Sequence, residues 1–442
     1  MKWLQRIYIN NLTWYIFLGI LVLFALSYIL PIHNAVWLVF YLFLGLTAID
    51  FILLFATNQR FAGSRQAPEK LSNGDENPIT IRLESGYGFP VTVTVIDELP
   101  FQFQERNFKV KRTITPAGNT AFEYVLRPFE RGEYFFGRLN VYVSSPLRLV
   151  SRRFIFGEGQ MMPVYPSYIQ MRKYDLMAFS NRLFEYGIKK IRRIGHTMEF
   201  EQIKEYVSGD DIRTINWKAT AKKNQLMVNQ FQDERSQNVY MAIDKGRVMK
   251  MPFNGLSLLD YAINATLVLA NTIIKKNDKA GMFAFSRRVE NRVAADRRSG
   301  QMQKIQETLY NIKTDFFETD YGRLYADIKR NITHRSLILL YTNFETMDGL
   351  KRQLPYLKGI AKSHLLVVIF FENTELDTLI HKKANSVQEI YDQVIAEKFA
   401  FEKRLIVQEL KKYGIHSVLT KPEHLTLDTI NKYLEIKARG IL

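Results

Sequence analysis

Two long apolar runs in the first 56 residues constrain this chain more than anything else in it. Residues 12–30 are apolar apart from Thr13, Tyr15, Ser27 and Tyr28, and residues 35–56 form a second run. At about 1.5 Å of rise per helical residue each reaches about 30 Å, the thickness of a bilayer's hydrocarbon core. The intervening Pro31-Ile32-His33-Asn34 is short and polar enough for a tight hairpin. Lys2 and Arg6 precede the pair, Arg60 and Arg65 follow it, and the turn carries no cation. The positive-inside rule then predicts two spans with both termini, and the remaining chain, on the cytoplasmic side. A cleaved signal peptide fits less well, because the first run is long and a second follows at once. Asp50 falls inside the second run, where a carboxyl is costly unless it pairs, protonates or reaches the interface. A proton or partner site there competes with snorkelling or a contact within the hairpin.

Beyond the hairpin (1–65), the polar stretch 66–76 (QAPEKLSNGDE) carries turn formers and reads as a linker. Period-two alternation then dominates residues 77–167, as in Ile79-Thr80-Ile81-Arg82-Leu83 and Val91-Thr92-Val93-Thr94-Val95. Further strands are expected at 109–114, 120–126, 132–136, 139–143 and 152–156, separated by turn signals such as Pro116-Ala117-Gly118-Asn119. Short alternating strands at this spacing predict an antiparallel β-sandwich of immunoglobulin-like type.

Residues 168–236 form a bridge, with a helix expected at 176–186. A basic run, Lys189 to Arg193, follows it. Clustered Lys and Arg can neutralise phosphates, but no aromatic interleaves here to stack on bases. A solvated loop, or one near lipid or an acidic partner, is the simpler reading. The densest motif follows: Glu205-Tyr206, Gly209-Asp210-Asp211, Arg213, Asn216-Trp217-Lys218, then Leu226-Met227-Val228-Asn229-Gln230-Phe231 and Asp233-Glu234-Arg235. Glycine gives the backbone freedom for a turn, and a carboxylate beside the next N–H groups can cap a helical segment. Ile215 and Trp217 are expected to bury, with Lys218, Lys222 and Lys223 facing out. Adjacent carboxylates without a histidine or third acid are a weak metal signal. A structural or partner-docking role is favoured.

After Gln237 the pattern changes to alternating strands and helices. Val239–Ile243, Ser336–Thr342 and Leu365–Phe371 are continuous apolar runs, as strands buried on both faces would be. Ser257–Lys275 is strongly helix-periodic, and Pro355 is expected to kink a helix over 348–362. This predicts a doubly wound α/β sheet over 237–442. Ligands on such sheets bind at the carboxyl ends of strands, where Asp244 and Asn343 fall. No G-x-G-x-x-G follows a strand, and no P-loop, G-x-S-x-G or H-E-x-x-H occurs. His196, His364 and His381 are scattered. The absence of cysteine excludes disulfides and cysteine nucleophiles.

The signature E-Y-x-x-G-D-D-x-R-x-I-N-W-K-A-T-A-K closely resembles that of domain-of-unknown-function family 58. Arg131-Gly132 with Tyr134, and the closing Tyr433–Lys437, fit the same pattern. The resemblance implies a bacterial inner-membrane protein with a von Willebrand factor A-like α/β domain, encoded beside MoxR-type AAA+ ATPases, with no known reaction. Such domains hold a metal with D-x-S-x-S, a later threonine and a further aspartate. Here the run is Asp244-Lys245-Gly246-Arg247-Val248. Both serines are replaced, leaving Asp244 as the anionic ligand with Thr319, Thr342 and Asn343 as neutral candidates. Mg²⁺ is therefore not expected to bind tightly, and no cofactor is expected.

The expected function is a non-enzymatic, membrane-anchored adaptor or scaffold facing the cytoplasm. It would bind a protein partner, the implied MoxR-type ATPase, through Gly209, Asp210, Asp211, Arg213, Asn216, Trp217 and Lys218, in envelope-associated assembly or maturation. A net charge of +17 suits the anionic membrane surface. Two alternatives stand beside it: a metal-dependent hydrolase using Asp210, Asp211 and Asp244, and a basic nucleic-acid-binding membrane protein.

Overall fold

The computed structural model describes residues 6–55, 61–157, 159–179, 199–208, 210, 212–232, 236–382, 384 and 386–441. The chain forms two compact units, Met1–Tyr165 and Pro166–Leu442.

In the first unit, two apolar helices precede the β-structure: Asn11–Leu26 (16 residues) and His33–Phe55 (23 residues). The second is long and apolar enough to cross a membrane, with a mean hydropathy of 2.4. The first is shorter than the 12–30 run suggests. Pro31 disfavours helical backbone at Leu30, and at Ser27, which caps the helix, the hydroxyl donates to the Phe24 carbonyl at 2.7 Å. The strands form a five-stranded sheet and two three-stranded sheets. In the largest, Val91–Asp97 pairs antiparallel with Leu139–Ser144, and Val150–Phe156 follows on the far side of Leu139–Ser144. Alternation does the sorting: Val91, Val93 and Val95 are fully buried while the threonines between them are half-buried.

Three features of this unit escape the sequence pattern. A short strand, Ile7–Ile9, ahead of the first helix, pairs with Val150–Arg152 and forms the sheet's edge. Phe61–Gln66 pairs with Asn77–Ser85. The stretch expected to be a linker is built into the fold. Leu71, Ser72 and Asn73 are fully buried, and Leu71–Ser72 runs parallel to Val164–Tyr165. Asn77 holds the turn: its Oδ1 accepts from the Ser72 N–H at 2.8 Å, and its amide donates to the Ser72 carbonyl at 2.9 Å. A polar composition looked like solvent exposure, but here the polar groups satisfy one another.

The second unit centres on a six-stranded sheet. Its order is Val289–Asp296, Lys279–Phe285, Asn238–Asp244, Leu337–Tyr341, Leu365–Phe371 and His416–Thr420. All neighbours are parallel except the Val289–Asp296 edge. One face is covered by Leu258–Lys275, Gln301–Tyr310 and Leu425–Arg439, the other by Tyr321–Asn331, Met347–Ser363 and the later part of Val387–Lys412. Helices on both faces explain why the central strands read as unbroken apolar runs. Leu258–Lys275 starts in a capping box, Ser257 with Asp260, an arrangement worth about 1 kcal/mol. Pro355 lies inside the helix Met347–Ser363, which continues through it.

The bridge helix spans Tyr168–Phe179 rather than 176–186. The remainder of that expectation, with Lys189–Arg193 and His196, lies outside the described residues. A two-stranded ribbon, Glu199–Glu205 with Met227–Gln232, frames the signature motif.

Candidate functional site

Two places hold the residues that the sequence singles out. The first is the loop carried by the two-stranded ribbon. Asp210 turns back on its own strand: Oδ1 accepts from Lys204 Nζ at 2.8 Å, and Oδ2 accepts from the Val207 N–H at 3.0 Å. Those bonds, from Lys204 first, hold its carboxyl below the ordinary value. The helix Trp217–Lys223 is capped by Asn216, not by an aspartate. Asn216 Oδ1 accepts from the Ala219 N–H at 3.0 Å, and its amide donates to Asn229 Oδ1 at 2.8 Å. Gly209, Asp211 and the Arg213 side chain lie outside the described residues. Lys218, Lys222 and Lys223 are exposed as expected.

Trp217 corrects the expectation of burial: it is 70% exposed. Among its described residues, the seven-residue helix Trp217–Lys223 buries no side chain. Ile203, Val207, Ile212 and Leu226 are exposed around the same loop. The loop and its ribbon thus expose five large apolar side chains.

The second place is the carboxyl end of the sheet. The chain leaves Asn238–Asp244 for Lys279–Phe285 on one side and later returns to Leu337–Tyr341 on the other, so the switch point lies between Asp244 and Thr342. Asp244 is fully buried. Its Oδ1 accepts from the Gly246 N–H at 2.8 Å and from Thr319 Oγ1 at 2.6 Å, and its Oδ2 accepts from Thr342 Oγ1 at 2.8 Å. Tyr321 shares a further bond with Thr342 Oγ1 at 2.7 Å. Burial pushes the Asp244 carboxyl above its ordinary value, against the opposing pull of the Thr319, Gly246 and Thr342 bonds. Gly246 is sterically required: a Cβ there would sit 2.2 Å from Thr319 Oγ1.

The structure brings Asp244, Thr319 and Thr342 together, joined by hydrogen bonds. Every bond donor aimed at Asp244 comes from the chain itself. Lys245 is tied to Glu290 at 2.6 Å and to Asp315 at 3.5 Å. Asn343 Oδ1 accepts from Lys403 Nζ at 2.6 Å, so an ammonium takes the oxygen a cation would need. Among the described residues no cluster of three or more His, Asp or Glu side chains is arranged to hold a metal. The donor set does not fit a Mg²⁺ site. No described hydrogen bond or ion pair joins Asp210 to Asp244.

The sequence did not reveal what lies beside this closed network. A cavity of about 210 Å³ opens at the ends of Leu337–Tyr341 and Leu365–Phe371. Met251, Phe253, Leu258, Phe371 and Phe399 give it apolar walls, and Lys403 reaches it from the helix Val387–Lys412. Burial pulls the Lys403 ammonium down to about 8, opposed by the charges of Glu345 and Glu372. A lysine on a long polar helix carries no sequence signal for this. Its position opposite Asn343 is a tertiary fact.

The molecule is therefore a β-rich unit bearing apolar helices and an α/β unit whose central strand ends in a hydrogen-bonded aspartate. Residues 202–377 match the family described as "Protein of unknown function DUF58", the family that the signature motif resembles. A relative, the uncharacterised protein YeaD of Bacillus subtilis, is 26% identical over 231 residues, 50% of this chain. The match spans 55% of that relative's length. Solved structures similar in part include the ASH/PapD-like domain of human CEP192, at 12% identity over 24% of this chain and 86% of that one, TM-score 0.19. The CARDB domain of the Pyrococcus furiosus PF1109 protein matches at 11% identity over 25% of this chain and 94% of that one, TM-score 0.17. Scores this low carry no argument here.

Proposed function

We propose that the chain is a membrane-anchored adaptor or scaffold that binds a protein partner through its signature loop. The observation that carries this is the exposed Trp217 with Ile203, Val207, Ile212 and Leu226 around it. Apolar side chains on a short ribbon cost solubility unless another surface covers them. The internally satisfied Asp244 supports the same reading, because its two oxygens already accept three hydrogen bonds from the chain itself. In this reading the helices Asn11–Leu26 and His33–Phe55 are two spans, with both termini and both units on the cytoplasmic side of a bacterial inner membrane. The six-stranded sheet is a von Willebrand factor A-like domain that has exchanged its metal for internal hydrogen bonds. The partner is the MoxR-type AAA+ ATPase that the family resemblance implies, acting in envelope-associated assembly or maturation.

Co-purification from native membranes tests the reading. Trp217→Ala leaves the fold intact, because the side chain is exposed, and weakens partner capture by roughly thirtyfold, the loss of about 2 kcal/mol typical of an interface tryptophan. Deleting residues 209–218 abolishes capture. A partner set unchanged by both overturns the proposal.

A further inference from the structure

Among the described residues, the helix Val387–Lys412 carries an exposed apolar stripe. Val387, Ile390, Tyr391, Val394 and Phe401 are all more than half exposed, Val387 by 85%. They fall at positions i, i+3, i+4, i+7 and i+14, and at 3.6 residues per turn they occupy about 100° of arc. The opposite side of the same helix buries Ala396, and further along it buries Ile406 and Leu410 against the sheet. Val387, Val394 and Phe401 repeat every seven residues, the spacing that seats one helix against another.

Charge identifies the occupant. Residues 387–397 contain Glu389, Asp392 and Glu397 and no Lys or Arg. Residues 398–412 contain Lys398, Lys403, Arg404, Lys411 and Lys412 against Glu402 and Glu409, and only Lys403 of these cations turns toward the cavity. A second copy laid antiparallel sets the acidic half of one helix along the basic half of the other, and opposes the two macrodipoles favourably. A parallel copy stacks like on like. An interfacial membrane helix needs cations along its polar face, and the first half of this one has none.

We propose that two copies of this chain associate about a twofold axis through antiparallel packing of Val387–Lys412. Centred near Ala396, Tyr391 of each copy meets Phe401 of the other, and Val387 meets Leu405. The interface is isologous, so the same residues serve both copies. It stands independently of the adaptor reading.

The chain's lack of cysteine makes the test direct. Tyr391→Cys and Phe401→Cys are placed on differently tagged full-length copies, co-expressed and oxidised in membranes. Antiparallel pairing gives the mixed 391–401 disulfide in roughly tenfold excess over either same-site product, because only that pair brings Cβ atoms within bonding reach. Val394→Asp raises the dimer dissociation constant in detergent by roughly tenfold or more. Val394→Ser weakens it less, and both keep the wild-type melting curve. Phe101→Ser, exposed in the other unit, changes nothing. A monomeric wild-type chain at micromolar concentration overturns the proposal, as do same-site disulfides in excess. Cross-linking of position 401 to a different polypeptide instead of a second copy also overturns it.

Discussion

Asp50 and Asp244 lie in different units and are both fully buried. Each sits where a sequence suggests chemistry, one in an apolar span and the other at a strand's carboxyl end. Each instead closes a loop. Asp50 Oδ2 accepts from the backbone N–H groups of Leu149 at 2.9 Å and Val150 at 2.8 Å, and its Oδ1 accepts from the Ser145 hydroxyl. Asp244 takes one backbone N–H and two hydroxyls. Backbone donors cannot turn away when the acceptor is lost, whereas threonine hydroxyls can rotate toward one another or toward Tyr321. The same residue type at the same burial therefore fastens rigidly in one unit and adjustably in the other. The fastening at Asp50 is part of a wider clamp: Arg152 Nη1 and the Tyr87 hydroxyl both donate to the Leu54 carbonyl, at 2.8 and 3.2 Å.

That difference can be broken by substitution. Asp50→Ala orphans two buried N–H groups and a hydroxyl, and at about 1–3 kcal/mol per unsatisfied donor it costs about 3–5 kcal/mol. Thermal melting of the detergent-solubilised chain reads the loss, together with faster proteolysis near residues 145–150. Asp244→Ala costs about 2–3 kcal/mol, less because its hydroxyl donors re-pair. Equal losses at the two positions would remove the distinction.

Asp244→Asn sharpens it. The native carboxyl is raised above its unfolded value, so its contribution to stability is held below the unfolded carboxyl range and lost as pH rises through the folded value. The Asn variant stays within about 1 kcal/mol of wild type and loses that pH slope in denaturant titrations. Gly246→Ala forces a Cβ onto Thr319 and costs about 1–3 kcal/mol by overpacking, with Asp244 unchanged. The effect at Lys403 is read only through pH. Its folded value of about 8 lies below the unfolded lysine value of 10.5, so the unfolded chain binds more protons between the two. Stability therefore gains a rising increment from pH 8 to 10.5, and Lys403→Met abolishes that increment.

How much of this was legible depended on whether the signal was periodic or tertiary. The strands Leu337–Tyr341 and Leu365–Phe371 and the helix Leu258–Lys275 announce themselves by pattern. So does the grouping of Asp244 with Thr342, because adjacent parallel strands end together. The stretch 66–76 reads as a linker because local composition cannot say that its polar groups find each other and Asn77. Ile7–Ile9 could not be seen as a strand, since three residues carry no period. The helix Thr374–His381 was likewise too short to stand out from its loop. Trp217 was expected to bury because large aromatics usually do. Its exposure depends on what packs around the ribbon among the described residues, which is a tertiary property.

The strand Ile7–Ile9 also sets an order in time. The ribosome makes it before both apolar helices, yet its hydrogen-bonding partner, Val150–Arg152, emerges more than a hundred residues later. The largest sheet of the first unit thus keeps an open edge throughout the synthesis of the helices and most of the strands. Closure joins residues made before the helices to nearly the last of that unit, and the same segment, 149–152, carries the backbone donors of Asp50.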